Sequence, residues 1–185
     1  MTERGRSFAM LGAAALAAVA VSGCEQRRPD LAEALAPARG HLEDGTGGAA
    51  SVDELLAAAR GRPVSVSFAY VGCSGRTPRL ERLRQAEGAV AGGDVFHIVL
   101  NVVDGPSRYA DVVRDLTGEA PERLDPNALR ILFVEKGERW PVEPSAAAEG
   151  VMAAMGLRYG RERFIETVSG IGLFDRDGRF AGLRY

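Results

Sequence analysis

Residues 95–103 read Val-Phe-His-Ile-Val-Leu-Asn-Val-Val, a nearly unbroken apolar run. An alternating pattern would leave one side of a strand for water. This run leaves neither, and so predicts a strand buried on both faces. Such a strand needs a covering layer on each side of its sheet, which directs the chain toward layered α/β architecture.

The flanking patterns supply the layers. Residues 63–71 alternate, with Val64, Val66, Phe68 and Tyr70 on one face and Ser65, Ser67 and Ala69 on the other. Ser51 and Glu54 have capping-box spacing and open a short helix through Leu55 and Leu56. Thr77 followed by Pro78 reads as an N-cap with proline at the first helical position; Leu80, Leu83 and Val90 fall near one face, and Gly88 offers a stop. Ser107 to Leu116 reads as a helix ended by Gly118, Leu129 to Val134 as a second buried strand, and Ser145 to Met155 as a helix closed by Gly156. Val168–Phe174 and Phe180–Leu183 pair across Asp175-Arg176-Asp177-Gly178. The order predicts an α/β domain: a central mixed sheet flanked by helices and ending in a β-hairpin. Cys73, between the first main strand and the next helix, is placed as in thioredoxin-like architecture. A helix N-terminus there favours a thiolate.

The N-terminus reads as an export segment. Arg4 and Arg6 precede an uncharged apolar stretch from Phe8 to Val21 that is short for a transmembrane helix. Val21-Ser22-Gly23-Cys24 resembles the bacterial lipobox, which implies cleavage after residue 23 and acylation of Cys24. The expected organisation is a signal peptide over 1–23, a flexible tether over 24–40 with Pro29 and Pro37, and a domain over 41–185. Acyl chains on Cys24 would make the membrane a partner and place the domain in the bacterial envelope, facing the periplasm. Glu25, where an aspartate would signal inner-membrane retention, points to the outer membrane. The remaining chain of about 160 residues suffices for one core. A formal net charge of −2 argues against nucleic acid as a partner. Of the two cysteines, lipidation would leave one thiol, so no internal disulfide forms.

Several segments resemble the Sco/SenC family. Gly61-Arg62-Pro63-Val64-Ser65-Val66-Ser67-Phe68-Ala69-Tyr70-Val71-Gly72-Cys73 is similar to its "GKPVLVSFGYTHC". Leu42-Glu43-Asp44-Gly45 is similar to "LTDQDG", and Val103-Asp104-Gly105-Pro106-Ser107-Arg108 to "VDPxRD", with one extra glycine and Tyr109 at the second aspartate. Ile171 to Phe180 is similar to "IYLIDPDGRF". The resemblance implies a thioredoxin-like fold and a membrane-attached protein that handles copper for the CuA centre of cytochrome oxidase, or reduces thiols. Its implied partners are a respiratory oxidase or another copper or thiol protein. The family site is C-x-x-x-C-P plus a distant histidine. Cys73 matches the first cysteine and Pro78 the proline, but the second cysteine falls on Thr77 and the histidine on Thr167. Two of three ligands are missing, so no cofactor is expected; Cys73 stays as the sole metal-ligand candidate and copper as the sole cofactor candidate.

Other residues do not fill the gap. His97 lies inside a buried strand, and His41 stands at the start of the domain. Met152 and Met155 have the helical spacing of core residues. Trp140 reads as packing, and Asp175 with Asp177 as a turn too short for a calcium loop. Cys73 remains as a candidate catalytic thiolate, with Arg76 and Arg79 nearby in sequence, or as an inert small residue. Two function classes follow. The first is a Sco-like accessory or binding lipoprotein with a degenerate copper site. The alternative is a single-cysteine thiol peroxidase, because Cys73-Ser74-Gly75-Arg76-Thr77-Pro78 resembles the glutathione peroxidase "CGxTP" stretch with one residue inserted. It would need an external reductant, and that family's glutamine and "WNF" element have no matching positions. A purely structural lipoprotein domain is the third class.

Overall fold

Strand β4 (Phe96–Asn101) is buried along its whole length, as its apolar run requires. In the computed structural model, residues 28–69, 94–102, 104–134, 144–157 and 170–184 are described. Within these residues β4 lies at the centre of a seven-stranded sheet. The other strands are β1 (Leu42–Glu43), β2 (Ala49–Ala50), β3 (Val64–Ala69), β5 (Leu129–Val134), β6 (Ile171–Phe174) and β7 (Phe180–Arg184), in the order β2-β1-β5-β4-β3-β6-β7. The pairs β3–β4 and β4–β5 are parallel, while β1, β2, β6 and β7 add antiparallel edges. Register places Ser65 beside His97 and Ala69 beside Asn101.

The two-residue period divides the strands between two cores. Val64, Val66 and Phe68 join Phe96, Ile98, Leu100, Leu132 and Val134 on one face. Helices α1 (Leu31–Leu35), α2 (Val52–Ala59) and α4 (Ala146–Ala154) cover it with Leu35, Leu55, Val151 and Met152. On the other face Val99, Ile131, Phe133 and Leu173 meet Val112, Val113 and Leu116 of α3 (Tyr109–Thr117). The expected helix over residues 78–90 lies outside the described residues.

Local stops act as their residues dictate. Gly118, at φ +74°, ends α3 with its N–H on the Arg114 carbonyl. The Ser145 hydroxyl accepts from the Ala148 N–H to start α4. In the β6–β7 turn Asp175 Oδ1 accepts from the N–H groups of Asp177 and Arg179, which commits that carboxylate to the turn.

One expected boundary is corrected. Residues 30–40, expected to belong to a flexible tether, pack into the domain. Asp30 caps α1, accepting from the Glu33 N–H at 2.8 Å, while Glu33 accepts from the Asp30 N–H at 3.1 Å. Leu31, Ala34, Leu35 and Ala38 are all buried. The Leu31 N–H donates to the Gly178 carbonyl, and Asp30 bridges to Arg179, so the helix is fastened to the β6–β7 turn. Pro37 lies against Gly150 of α4, where a Cβ would come within 2.7 Å of its ring. The alanines that looked like spacer are small because helices pack closely there.

Candidate functional site

The carboxyl ends of β3, β4 and β5 share one edge of the sheet, where open α/β folds place their ligands. β3 ends at Ala69, four positions before Cys73 in the sequence. Cys24, Cys73, Thr77 and Thr167 all lie outside the described residues, as do Arg76, Arg79, Pro78 and Trp140. What the structure describes is the end of β3 and the elements beside it.

These elements are tightly held. The Val102 N–H donates to the Ala69 carbonyl at 3.2 Å, so β4 leaves the sheet tied to the last residue of β3. Asn101, fully buried, closes β4: its Oδ1 accepts from the Asp104 N–H at 2.8 Å, and its Nδ2 donates to Asp104 Oδ2 at 3.1 Å. That clamp bends the chain into the one-turn 3₁₀ helix Pro106–Arg108, which runs into α3. The position expected to hold an aspartate carries Tyr109, and its ring fills a role of its own. It lies flat enough against Gly45 that a Cβ there would come within 2.6 Å, and it meets Phe133 edge-on at 6.2 Å between ring centres. The turn that supplies Gly45 is organised by Asp44, whose Oδ1 accepts from the Thr46 hydroxyl and from the N–H groups of Thr46 and Gly48. Those bonds, led by the Thr46 hydroxyl, hold the Asp44 carboxyl below its usual range. Burial pushes the Tyr109 phenol up.

Beneath this edge the α3-side face of the central strands carries a polar seam. Ser65 Oγ is 2.7 Å from His97 Nδ1, and both residues are buried. Ser67 Oγ is equally buried and has no hydrogen-bond partner among the described residues. His97 therefore serves the core. His41 is on the surface, and Met152 and Met155 are buried against the first face, as their spacing indicates. Among the described residues no cluster of three metal-ligating side chains occurs. The donor set that the family resemblance assigns, one thiolate and two threonines, does not fit a Cu(I) site. Threonine hydroxyls are hard, weak donors, and Cu(I) selects soft sulfur and imidazole. Neither the Asn101–Asp104 clamp nor the Gly45–Tyr109 contact carries a sequence signal beyond the residues themselves.

The comparisons with known proteins agree with this architecture. No family model matches the chain, and no curated protein matches it. Among solved structures, a protein of Aquifex aeolicus VF5 proposed to act in electron transfer superposes with a TM-score of 0.55 at 13% identity, over 86% of this chain and 84% of its own. A second, from the same organism and proposed to act in electron transport, gives 0.53 at 13% identity, over 86% and 87%. BsSco, described as a member of the Sco family of cytochrome c oxidase assembly proteins, gives 0.47 at 15% identity, over 78% of each chain. The order β4-β3-β6-β7, with β3 and β4 parallel and β6 and β7 antiparallel, gives the chain a thioredoxin-like α/β fold. At such identities the likeness speaks for the fold alone.

Proposed function

We propose that the chain is a membrane-anchored, periplasm-facing thioredoxin-fold lipoprotein of Sco/SenC type, serving respiratory-oxidase or copper handling as an accessory or binding factor. The observation that carries this reading is the position of Ala69: β3, parallel to the central strand β4, ends at the edge where open α/β folds place ligands, and Cys73 follows four residues later in the sequence. The four-residue spacing from Ala69 to Cys73 supports this reading. The family's chemistry is reduced. With Thr77 and Thr167 in place of the second sulfur and the imidazole, neither the family's copper site nor a two-cysteine exchange cycle is completed within one chain. What remains is a shaped edge with one sulfur, suited to contact with a partner protein. Cys24 supplies the attachment to the membrane, through acyl chains on its sulfur.

Two measurements on cells and purified protein test it. Cys24→Ser should release the protein from the membrane fraction, and unchanged retention contradicts the anchor. Treatment with hydrogen peroxide followed by sulfenic-acid trapping should leave Cys73 slow to label. Rapid labelling at Cys73 would replace the accessory reading with that of a thiol peroxidase using an external reductant.

A further inference from the structure

The end of the sheet opposite Ala69 carries a second feature. Where β3 begins and the β6–β7 turn folds over, a concavity of about 290 Å³ opens between α1, the end of α2 and that turn. Its floor includes Leu31, Leu56, Ala59 and Val64, and its rim carries Arg60, Arg62 and Arg176. Arg62 is committed: it donates to Asp94 Oδ2 at 2.8 Å and to the Asn127 carbonyl at 2.5 Å, and lies over the Phe96 ring. Asp177 sits 3.8 Å from Arg179, and Asp30 is turned to the N–H of its own helix. Arg60 and Arg28 are exposed, and among the described residues neither has an acidic partner.

The length of the leading chain says what meets this end. Among the described residues the first packed one is Asp30, on the rim of the concavity, six positions after Cys24, and six residues span at most about 20 Å. Resting on the reading that Cys24 is acylated, we infer that this arginine-rimmed end docks on phospholipid headgroups, with Arg28 and Arg60 binding their phosphates. A tether of seventeen residues would have let the domain turn freely; one of six holds this end against the bilayer. β3 then runs away from the membrane for about 20 Å, and the edge at Ala69, from which the chain leads to Cys73, faces the aqueous space.

Vesicle binding by the unlipidated chain tests the surface apart from the anchor. The chain from residue 24 onward retains every described element, because both cores are built from Leu31 onward. Made with Cys24→Ser, it should co-sediment with vesicles of phosphatidylcholine containing phosphatidylglycerol and not with phosphatidylcholine alone. Binding should weaken as salt is raised. Arg28→Gln and Arg60→Gln, both exposed, should each lower affinity about fivefold, and together about 25-fold. Absence of binding to either vesicle, equal binding to both, or binding undiminished in the double variant overturns the inference. The mass of the N-terminal peptide from envelope-extracted protein reads acylation of Cys24 directly. Failure of the anchor and failure of the surface are thereby separate results.

Discussion

Ser65 and His97 face one another across the parallel β3–β4 pair, with Ser65 Oγ 2.7 Å from His97 Nδ1 and both residues shut off from water. Two residues along the same strand, Ser67 Oγ is just as deeply buried and makes no hydrogen bond among the described residues. The two serines should therefore respond oppositely to truncation. Ser65→Ala removes the hydroxyl that bonds His97 Nδ1 and should cost about 1–3 kcal/mol, whereas Ser67→Ala removes a buried hydroxyl with no partner among the described residues and should be neutral or stabilising by up to about 1 kcal/mol. Urea midpoints of the two variants check this, and equal losses would contradict it.

Gly45 and Tyr109 form the second relationship that has a direct test. A Cβ at residue 45 would stand 2.6 Å from the ring of Tyr109, so Gly45→Ala should destabilise by about 1–3 kcal/mol through overpacking. Tyr109→Ala opens the space, at its own cost. In a double-mutant cycle the alanine at 45 should then cost markedly less than it does beside Tyr109. Additive losses would mean that the ring does not set the turn.

The same turn gives the pH dependence two limbs. The folded Asp44 carboxyl binds its proton more weakly than the unfolded one, because the Thr46 hydroxyl and backbone N–H groups favour the carboxylate. Its contribution is complete above the unfolded value of about 4 and is lost as pH falls through the lower folded value. Tyr109 works in the other direction. Burial, with the Asp44 charge adding and Arg130 opposing, raises the folded phenol above its unfolded value. That contribution is complete below about pH 10 and is lost as pH rises through the folded value. Thermal midpoints followed against pH should show a shallower acid limb in Asp44→Ala and a shallower alkaline limb in Tyr109→Phe. Unchanged limbs would remove these two groups from the account.

Much of the fold is legible in the sequence because burial writes it there. The apolar run over residues 95–103 contains β4 (Phe96–Asn101), the strand Leu129–Val134 stands where its composition puts it, and Gly118, Gly156 and Gly178 stop their elements at positive φ. α1 escapes such reading for a physical reason. Five residues give less than two turns, too few for a helical period to declare itself, and its alanines and nearby prolines imitate a linker. Its capping box, Asp30 with Glu33, resembles the Ser51–Glu54 spacing that sequence reading favours instead, where Ser51 caps the N–H of Asp53. Ser65 and Ser67 mislead in another way. Their alternation with apolar residues suggests a wet face, but a strand inside the sheet has covering layers on both sides, so the serines are buried and, among the described residues, only Ser65 finds a partner. The candidate site divides similarly. Cys73 and its missing partners are read from motif residues, whereas the Asn101–Asp104 clamp and the Gly45–Tyr109 contact arise from tertiary proximity.

The proposal that the chain has no complete copper site is tested most directly by competing the unlipidated chain from residue 24 onward, carrying Cys24→Ser, against a chromophoric Cu(I) chelator of known affinity. With a single thiolate and with threonines at positions 77 and 167, the chain should leave the copper on the chelator at equimolar protein, and Cys73→Ser should change nothing. Withdrawal of one equivalent of Cu(I) by the parent chain, abolished by Cys73→Ser, would show an intact tight site and contradict the account.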